Sequence, residues 1–519
     1  MPSWKDGGVL RYVTSVDHKR IGSLYLLAAG LFLAGAGIAR LLVFIAFVDP
    51  TGWFSDFATL QAISFQASVL LFGFGLPLTL GLAIYLVPLQ IGARSIAWPR
   101  VNAFAFWLFL AGISLVLVAY AAGDPSVESP AFPLSPEGQQ LWVLGFLLVC
   151  VAAVTAAIVL LQTVRTCRAA GLTAARLPIF TVASGLYAAA LVVGMTISGI
   201  AAAVFLIDAG SARGFFVYDV GEGFAFYQSS PWAFTHPVTY AQLVPVIGMV
   251  SEATAVGRRS PRTRSLALIA ASLAAALAVL AGLYHLVAEP LGDTFANGYA
   301  LSGFVVLGAL APAVLAWLGP LRSLRLPPEP IPLLVLGMVA LLVVGTVLGF
   351  ALGFPGEYKA DATNGVHQIA YYDGMMGGFG LLGVAAGVLY WFPKLTGRAF
   401  DPRLARAAAG LLALGALCLL VGLHVSGESD LEAWTSGAKA GSSLALAGHL
   451  LALLGGGLFV GAAALSLRAG RRVGNDPWLA DTLEWLATSP PSPHNFDSLP
   501  PIVSPTPLAD LRERLATRR

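Results

Sequence analysis

The sequence predicts an all-α integral membrane protein with about twelve transmembrane helices. Three observations indicate this class: an apolar composition, apolar stretches of membrane-spanning length, and an alternation of basic residues from loop to loop. Of the 519 residues, 57% are hydrophobic and 11% are charged, and the mean hydropathy is +0.79. Soluble domains are about a quarter charged. The composition therefore excludes a soluble globular protein, and we expect contact with a lipid bilayer and no nucleic-acid partner.

A helix needs about 20 consecutive apolar residues to cross a bilayer. Twelve stretches of the sequence meet this requirement, and polar loops separate them. They lie near 22–46, 61–89, 101–122, 140–164, 178–207, 232–256, 265–288, 298–320, 331–353, 368–394, 404–426 and 441–467. The 57 glycines suit membrane helices that pack closely through small residues.

Basic residues are concentrated in every second loop. Arg94 and Arg100 lie in one such loop, whereas the intervening loops carry only Arg213, Lys359 and Lys439, set among acidic residues. Loops rich in lysine and arginine stay on the cytoplasmic side of a membrane. The alternation therefore predicts an even number of helices and two cytoplasmic termini.

Three regions follow from these boundaries. Residues 1–21 form a polar cytoplasmic segment without the apolar core of a signal peptide, so the first helix is expected to remain in the mature protein. Residues 22–467 form the helical domain. Residues 468–519 form a cytoplasmic tail whose Pro-rich part is predicted to be extended.

One predicted helix has an unusual polar stretch, VHQIAYYDGMM at 366–376. An aspartate inside a bilayer costs a few kcal/mol even on mild insertion scales, so such a residue is a functional-site hypothesis. The candidate is Asp373, which follows Tyr371 and Tyr372 directly.

Motifs of one known family occur along the whole chain, in the same order as in that family. They are TSVDHKRIGSLYL (14–26), LVPLQIGARSIAWPRVNAFAFWL (86–108), THPVTYAQLVPVIGMVS (235–251), YWFPKLTGRAFD (390–401) and NDPWLADTLEWLATSPPSPHNFDSLP (475–500). Together they resemble subunit I of the haem–copper respiratory oxidases, in particular the cytochrome c oxidase branch. The resemblance implies a twelve-helix bundle in a prokaryotic cytoplasmic (inner) membrane, with subunit II-like and III-like membrane partners. It also implies two haems and copper, and reduction of dioxygen coupled to proton movement.

The ligand positions of that family are mostly changed in this chain. Six histidines are required there, two for the low-spin haem iron, one for the active-site haem iron and three for copper, because imidazole is a neutral ligand suited to both metals. Placed on the family's motifs, the three haem-ligand positions are Gln66, Tyr371 and Asp373. We therefore expect no haem at the family's sites.

Two copper-ligand positions keep their histidines, His236 and His285. Tyr240 matches the family's active-site tyrosine, four residues after His236. Two interpretations stay open: a weak residual metal site that water or Tyr240 completes, or two inherited histidines that form hydrogen bonds inside the bundle. His424 and His449 are further histidines that could act as ligands or have a structural role.

Other functional positions of the family are also changed. The stretch expected to hold propionate-binding arginines, GESDLEAWTSGAKAG, has none, and the proton-pathway positions fall on Ser95, Ile84 and Ala313 or Val314. By contrast, Arg40 matches an arginine that touches the low-spin haem in the family.

Arg40 and Asp373 would approach the same haem volume from different helices. We therefore predict a structural ion pair between them, with Tyr371 and Tyr372 filling the former haem volume, because membrane-embedded charges pair with one another. The alternative is that Asp373 lines a hydrated cavity alone.

These changes predict a divergent paralogue of subunit I, a pseudoenzyme with little or no oxygen-reduction activity by itself. Two alternatives remain: an active terminal oxidase subunit that passes electrons from cytochrome c to dioxygen through unrecognised haem ligands, and a non-redox scaffold or transporter. No pseudo-symmetric pair of broken helices supports a transporter.

Overall fold

A computed structural model describes residues 10–48, 56–122, 136–211, 238–256, 260–287, 308–319, 330–352, 377–427 and 436–517. Within these ranges the regular secondary structure is helical, apart from an isolated β-bridge between Arg398 and Arg472. This confirms the predicted all-α class.

The helices of the bundle follow one another in chain order. They are α1 (His18–Val48), α2 (residues 56–90), α3 (Pro99–Ala119), α4 (Pro136–Thr166), α5 (Ile179–Ser211), α6 (Leu243–Thr254), α7 (Pro261–Val287), α8 (Gly308–Gly319), α9 (Ile331–Leu352), α10 (Gly378–Thr396), α11 (Pro402–Gly427) and α12 (Ser436–Ala469). Short helices cover Leu10–Val13 and Pro507–Ala516, and 3-10 turns cover Ala174–Arg176 and Leu483–Trp485.

Ten of these helices are long and apolar enough to cross a membrane, which makes the chain a multi-pass membrane protein. They correspond to ten of the predicted spans. The described parts of α6 and α8 are shorter than a membrane crossing, with 12 residues in α6. Twelve crossings and two cytoplasmic termini therefore remain predictions.

Local sequence explains where several helices begin and end. The first bundle helix begins at His18 rather than at residue 22, because Asp17 Oδ1 accepts a hydrogen bond of 3.0 Å from Lys19 N. Proline opens α3 and α11, a position where its missing N–H costs nothing. Gly397 ends α10 in the left-handed region, with φ of +72°.

Sequential helices pack against their neighbours, and α12 returns to pack against α1. Large apolar side chains cover the outside, for example Leu31, Ile207 and Val460, which are 71%, 70% and 66% exposed. In water such a surface would be unfavourable, whereas acyl chains solvate it.

The second helix contains a π-helical turn that sequence periodicity does not reveal. It runs as an α-helix over Asp56–Ser68, a π-helix over Val69–Gly75 and an α-helix over Leu76–Gln90. The Gln242 side chain, next to the start of α6, donates a 3.1 Å hydrogen bond to the Leu71 carbonyl. A Cβ at Gly75 would collide with the Gln242 side-chain amide, so glycine permits this close approach. π-Helical turns often mark functional sites.

The C-terminal tail packs against one end of the bundle. Lys19 Nζ donates to Asn495 Oδ1 at 3.0 Å, and Asn495 Nδ2 donates to the Ala93 carbonyl at 2.8 Å. The Trp485 indole donates to the Tyr390 hydroxyl of α10 at 3.0 Å. The expectation of an extended Pro-rich segment is wrong for its last part, because residues from Pro507 onward form a helix.

Candidate functional site

The structure places three of the predicted site residues inside the bundle. Arg40 in α1 is 8% exposed, and Gln66 in α2 and Tyr240 just before α6 are each 4% exposed. Arg40 and Gln66 are therefore polar side chains buried within apolar helices. His285 lies in α7, but its side chain is outside the described part of the chain, as are His236, Tyr371, Tyr372 and Asp373. The predicted Arg40–Asp373 pair and the predicted His236–His285 metal site therefore remain proposals.

Gln66 lies in a helix without histidine. The first histidine after His18 is His236, so α2, α3, α4 and α5 have none. Among the described residues, the Gln66 Nε2 atom has no hydrogen-bond partner. A buried amide N–H without a hydrogen-bond partner lowers the stability of the folded protein. Such a residue indicates either local strain or a functional role.

Polar side chains on either side of Gln66 in the sequence bond to neighbouring helices. The Ser64 and Ser68 hydroxyls lie 2.9 and 3.0 Å from the Tyr120 hydroxyl, and the Trp142 indole donates to Ser68 at 3.2 Å. These bonds fix the first part of α2 against α3 and α4. The π-helical turn begins at Val69, so the backbone changes geometry three residues beyond Gln66.

Arg40 lies at a contact between the first and the last helix of the bundle. Its guanidinium carbon lies 5.4 Å from the centre of the Phe44 ring, a cation–π distance. The Phe44 ring is 5.5 Å from the His449 ring, and His449 Nε2 lies 3.0 Å from the Gly37 carbonyl oxygen. The proximity of His449 was not foreseen from the sequence, because His449 and Gly37 are 412 residues apart in the chain. Phe44 lies one helical turn after Arg40 in α1, but aromatic side chains are common in membrane helices, so this contact was not singled out either.

His424 and His449 both bond to backbone carbonyls. His424 Nδ1 lies 3.0 Å from the Leu420 carbonyl of its own helix. A ring nitrogen bonded to a carbonyl oxygen must carry the hydrogen, so this nitrogen is not a metal ligand in that state. This contact supports the structural interpretation of His424.

A second buried polar cluster lies at the end of the bundle where the tail packs, and sequence reasoning missed it. Its acidic members are Glu252 of α6 and Glu484 of the tail, both fully buried. Gln90 Nε2 donates to Glu484 Oε1 at 3.0 Å, and the Trp391 indole donates to the same oxygen at 3.3 Å. The one available signal was Glu252, a carboxylate at the end of an apolar stretch.

Burial is the main influence on the tail carboxyl of this cluster. It raises the pKa of Glu484 above its ordinary value, and the nearby charge of Glu252 raises it further. The hydrogen bond from Gln90 opposes this rise by favouring the ionised form.

Of the ligand positions that the oxidase resemblance implies, only Gln66 has its side chain in the part of the chain that the structure describes. The described residues contain no group of three or more His, Cys, Asp or Glu side chains placed to hold a metal ion. At the helix-two haem position the donor is the Gln66 amide, whose nitrogen lone pair is delocalised and whose oxygen is a hard ligand, in contrast to imidazole.

Comparisons with known proteins agree on one family. The sequence model of "Cytochrome C and Quinol oxidase polypeptide I" matches residues 20–456. A probable cytochrome c oxidase subunit 1-beta of Nocardia farcinica is 29% identical, over 97% of this chain and 89% of that protein. A putative cytochrome c oxidase subunit 1-beta of Streptomyces coelicolor is 27% identical, over 98% of this chain and 92% of that protein.

A solved structure supports the same fold. The chain is similar to one from a heme-copper terminal oxidase dimer studied by cryo-EM, with a TM-score of 0.65 and 15% sequence identity over 96% of this chain and 89% of that chain. The bundle and its motifs thus define a haem–copper oxidase type of membrane protein. The chain belongs to the cytochrome c and quinol oxidase polypeptide I family.

Proposed function

We propose that this chain is a divergent, subunit I-like component of a terminal-oxidase-type complex in a prokaryotic cytoplasmic membrane, with impaired or absent oxygen-reduction chemistry. Its likeness to the family over nearly the whole chain supports the complex and the membrane. The alternation of basic loops supports two cytoplasmic termini. Membrane subunits resembling subunits II and III are the proposed partners.

Gln66 is the observation on which the impaired chemistry rests. Ligation of the low-spin haem by two histidines would need one from helix α2, and that helix offers only a buried amide. The Tyr371 and Asp373 positions support the same conclusion from the sequence, since both haem histidines of the family's helix-ten motif are replaced. At most a weak metal site at His236 and His285, beside Tyr240, would remain.

We further propose the Arg40–Asp373 ion pair as the replacement for a haem contact. Arg40 is buried in α1 beside Phe44, and charges inside a membrane bundle pair with one another. A carboxylate at the position of a former haem ligand would be such a partner, and it would draw α1 towards the chain segment before α10.

An active oxidase with unrecognised ligands is the second candidate, and His449 favours it. Metal-bound histidines commonly donate their other ring N–H to a backbone carbonyl, and His449 Nε2 lies 3.0 Å from the Gly37 carbonyl oxygen. Its Nδ1 atom would then be the ligand nitrogen.

A reduced-minus-oxidised optical spectrum decides between the two candidates. The chain would be purified with its co-purifying membrane subunits from haem-replete cells, and bound haem and copper would be counted per chain. We expect no haem in stoichiometric amount that is assignable to this chain, and at most one copper ion.

Sharp haem bands at one or two haems per chain would contradict the impaired-chemistry proposal. In that case, loss of those bands in His449→Leu, with retention in the matched variant His494→Leu in the tail, would establish the second candidate.

A further inference from the structure

Two segments that are far apart in the sequence meet at the end of the bundle where the tail packs. One joins α10 to α11, and the other follows α12. Ala399 N donates a 2.9 Å hydrogen bond to the Arg471 carbonyl oxygen, and Val473 N donates at 3.1 Å to the Gly397 carbonyl oxygen. These bonds belong to the isolated β-bridge described above, and they hold the two segments side by side.

The junction of these segments concentrates arginine side chains, which we call the arginine surface. Its members are Arg398, Arg403, Arg406, Arg468, Arg471 and Arg472. Arg398 is partly buried, and its guanidinium donates a 2.9 Å hydrogen bond to the Gly470 carbonyl oxygen, which adds a side-chain contact between the two segments. The other members of the arginine surface are exposed.

Asp401 is the one acidic residue of the segments 398–406 and 468–474. Its Oδ1 atom accepts hydrogen bonds from the backbone N–H groups of Arg403 and Leu404, at 2.8 and 3.0 Å, so it caps the start of α11. The same carboxylate also interacts electrostatically with the side chains of Arg403 and Arg406. One carboxylate cannot balance the charges of the whole arginine surface.

The next acidic residues after α12 in the sequence are Asp476 and Asp481, and both already have a cationic partner. Arg512 of the short tail helix forms ion pairs with them at 3.3 and 2.7 Å. Within the part of the chain that the structure describes, no ion pair includes the arginine that ends α12 or the two that follow it. The arginine surface therefore carries a net positive charge.

Apolar side chains lie next to these arginines on the outside of α12. Leu465 and Leu467 are exposed in the last turns of the helix, and Arg471 and Arg472 follow just after its last residue. In a membrane, exposed leucines contact acyl chains, whereas arginines near a helix end reach the level of the lipid headgroups. The two kinds of side chain thus match the two halves of a phospholipid.

We propose that the arginine surface binds the phosphate headgroup of an anionic phospholipid, whose acyl chains lie along the outer face of α12. Guanidinium groups present planar pairs of donors that match phosphate oxygens. Basic pockets between membrane helices are a general means of binding anionic headgroups. The site includes none of the haem or copper positions, so it does not depend on the proposed function.

Native mass spectrometry of the purified full-length chain tests this site. The delipidated chain in detergent micelles would be titrated with phosphatidylglycerol and, separately, with phosphatidylcholine, and the chains that carry a lipid would be counted. We expect the wild-type chain to bind phosphatidylglycerol more tightly. The double variant Arg471→Gln with Arg472→Gln should weaken phosphatidylglycerol binding about tenfold or more, because it removes two headgroup contacts, and should leave phosphatidylcholine binding unchanged.

The matched control is the double variant Arg94→Gln with Arg100→Gln, which removes two exposed arginines from the loop between α2 and α3. It should bind phosphatidylglycerol as the wild-type chain does. Equal losses in the two double variants would assign the lipid preference to general charge and overturn the proposal. Equal affinities of the wild-type chain for the two lipids would also overturn it.

The wild-type chain provides a further test that does not depend on the folding of a variant. Rising ammonium acetate concentration should weaken the binding of phosphatidylglycerol and not that of phosphatidylcholine, because salt screens exposed charges. Phosphatidylglycerol binding that is indifferent to salt would contradict the proposal.

Two other occupants of the arginine surface would give different results. Release of the lipid by inorganic phosphate, at the concentrations at which phosphatidylglycerol binds, would indicate a site for a free anion. Loss of an acidic co-purifying subunit in Arg471→Gln with Arg472→Gln, with phosphatidylglycerol binding unchanged, would indicate a protein interface. Either result would overturn the assignment to a lipid.

Discussion

Gln66 illustrates how a single side chain changes what a helix can bind. Glutamine and histidine are both polar and able to form hydrogen bonds, and either can be buried in a membrane bundle if a partner is present. Only imidazole offers a neutral nitrogen lone pair to iron. We propose that Gln66 stands at the family's haem-ligand position, so that α2 keeps its place in the family's fold and lacks the donor that the family's haem chemistry requires.

At the residue scale, the Arg40–Asp373 pair can be tested by a double-mutant cycle. Each of Arg40→Met and Asp373→Asn would leave one partner without compensation, and we expect each to cost about 3–5 kcal/mol. The double variant should cost less than the sum, with a coupling of roughly 0.5–3 kcal/mol. The measurement is unfolding of the purified chain in mixed micelles, followed by circular dichroism.

Arg468→Met, at an exposed position near the end of α12, is the control and should have little effect. Strict additivity of the two single variants would refute the ion pair and favour Asp373 in a hydrated cavity.

At the element scale, the α11–α12 hairpin is held together by glycines at a backbone contact. A Cβ on Gly415 would lie 2.7 Å from the Gly448 carbonyl oxygen, and a Cβ on Gly448 would lie 2.7 Å from the Gly415 carbonyl oxygen. Neither neighbour can move aside, because each contact is with backbone. Small residues that let two membrane helices approach closely are the general means of packing in lipid.

Gly448→Ala should therefore separate the two helices. We expect a loss of about 1–3 kcal/mol, the usual cost of overpacking, seen as a lower denaturation temperature in detergent. Gly457→Ala in the same helix is the matched control, since a Cβ there meets nothing within 4 Å; it should be neutral or stabilising by up to about 1 kcal/mol. Equal denaturation temperatures for the two variants would contradict the close-contact interpretation.

Helical elements could be predicted where apolar composition alone determines them. They could not be predicted where their geometry depends on side chains that are distant in the sequence. Ten spans, among them α3 and α12, follow from length and hydropathy, because a bilayer demands a continuous internally bonded helix. The π-helical turn in α2 depends on the Gln242 side chain, 171 residues away from Leu71 in the sequence. The helix after Pro507 contradicts the expected extended tail because its ends are fixed by contacts such as the 2.7 Å bond from Ser504 to Asp510.

The same contrast applies to the candidate site, where features in the family's motifs could be predicted and contacts between distant side chains could not. The burial of Arg40 and Gln66 could be foreseen from the family's motifs. The Glu252–Glu484 cluster could not, because Gln90 and Glu484 are 394 residues apart and no periodic pattern relates them. The predicted His236, Tyr371 and Asp373 arrangement is still a prediction.

At the scale of the whole molecule, the tail closes one end of the bundle. Asn495 joins it to two membrane helices at once, through Lys19 at the start of α1 and the Ala93 carbonyl after α2. Its backbone has φ of +66°, a conformation that asparagine tolerates better than most residues. The tail is thus part of the folded unit, although the sequence alone presented it as an appendage.

Asn495→Ala should loosen this closure. It removes both side-chain bonds and takes an acceptor from a buried ammonium, so we expect a cost of about 1–3 kcal/mol and faster cleavage of the tail by added protease. Glycine adopts this backbone conformation without strain, so Asn495→Gly should show most of the same loss of stability and faster cleavage. Asp497 is exposed, and Asp497→Ala should show neither effect. Cleavage of Asn495→Ala at the rate of Asp497→Ala would show that these bonds do not hold the tail.

The separation of Gln90 and Glu484 along the chain also fixes an order of events during synthesis. A ribosome adds about 5–20 residues per second, so Gln90 waits roughly 20–80 seconds for a partner that is 394 residues away. During this interval the buried end of α2 can only be hydrated, held by a chaperone or covered by another subunit. Completion of this contact therefore requires that translation has passed Glu484, and a product truncated before that residue would expose Gln90, Lys19 and Lys394 to quality-control proteases.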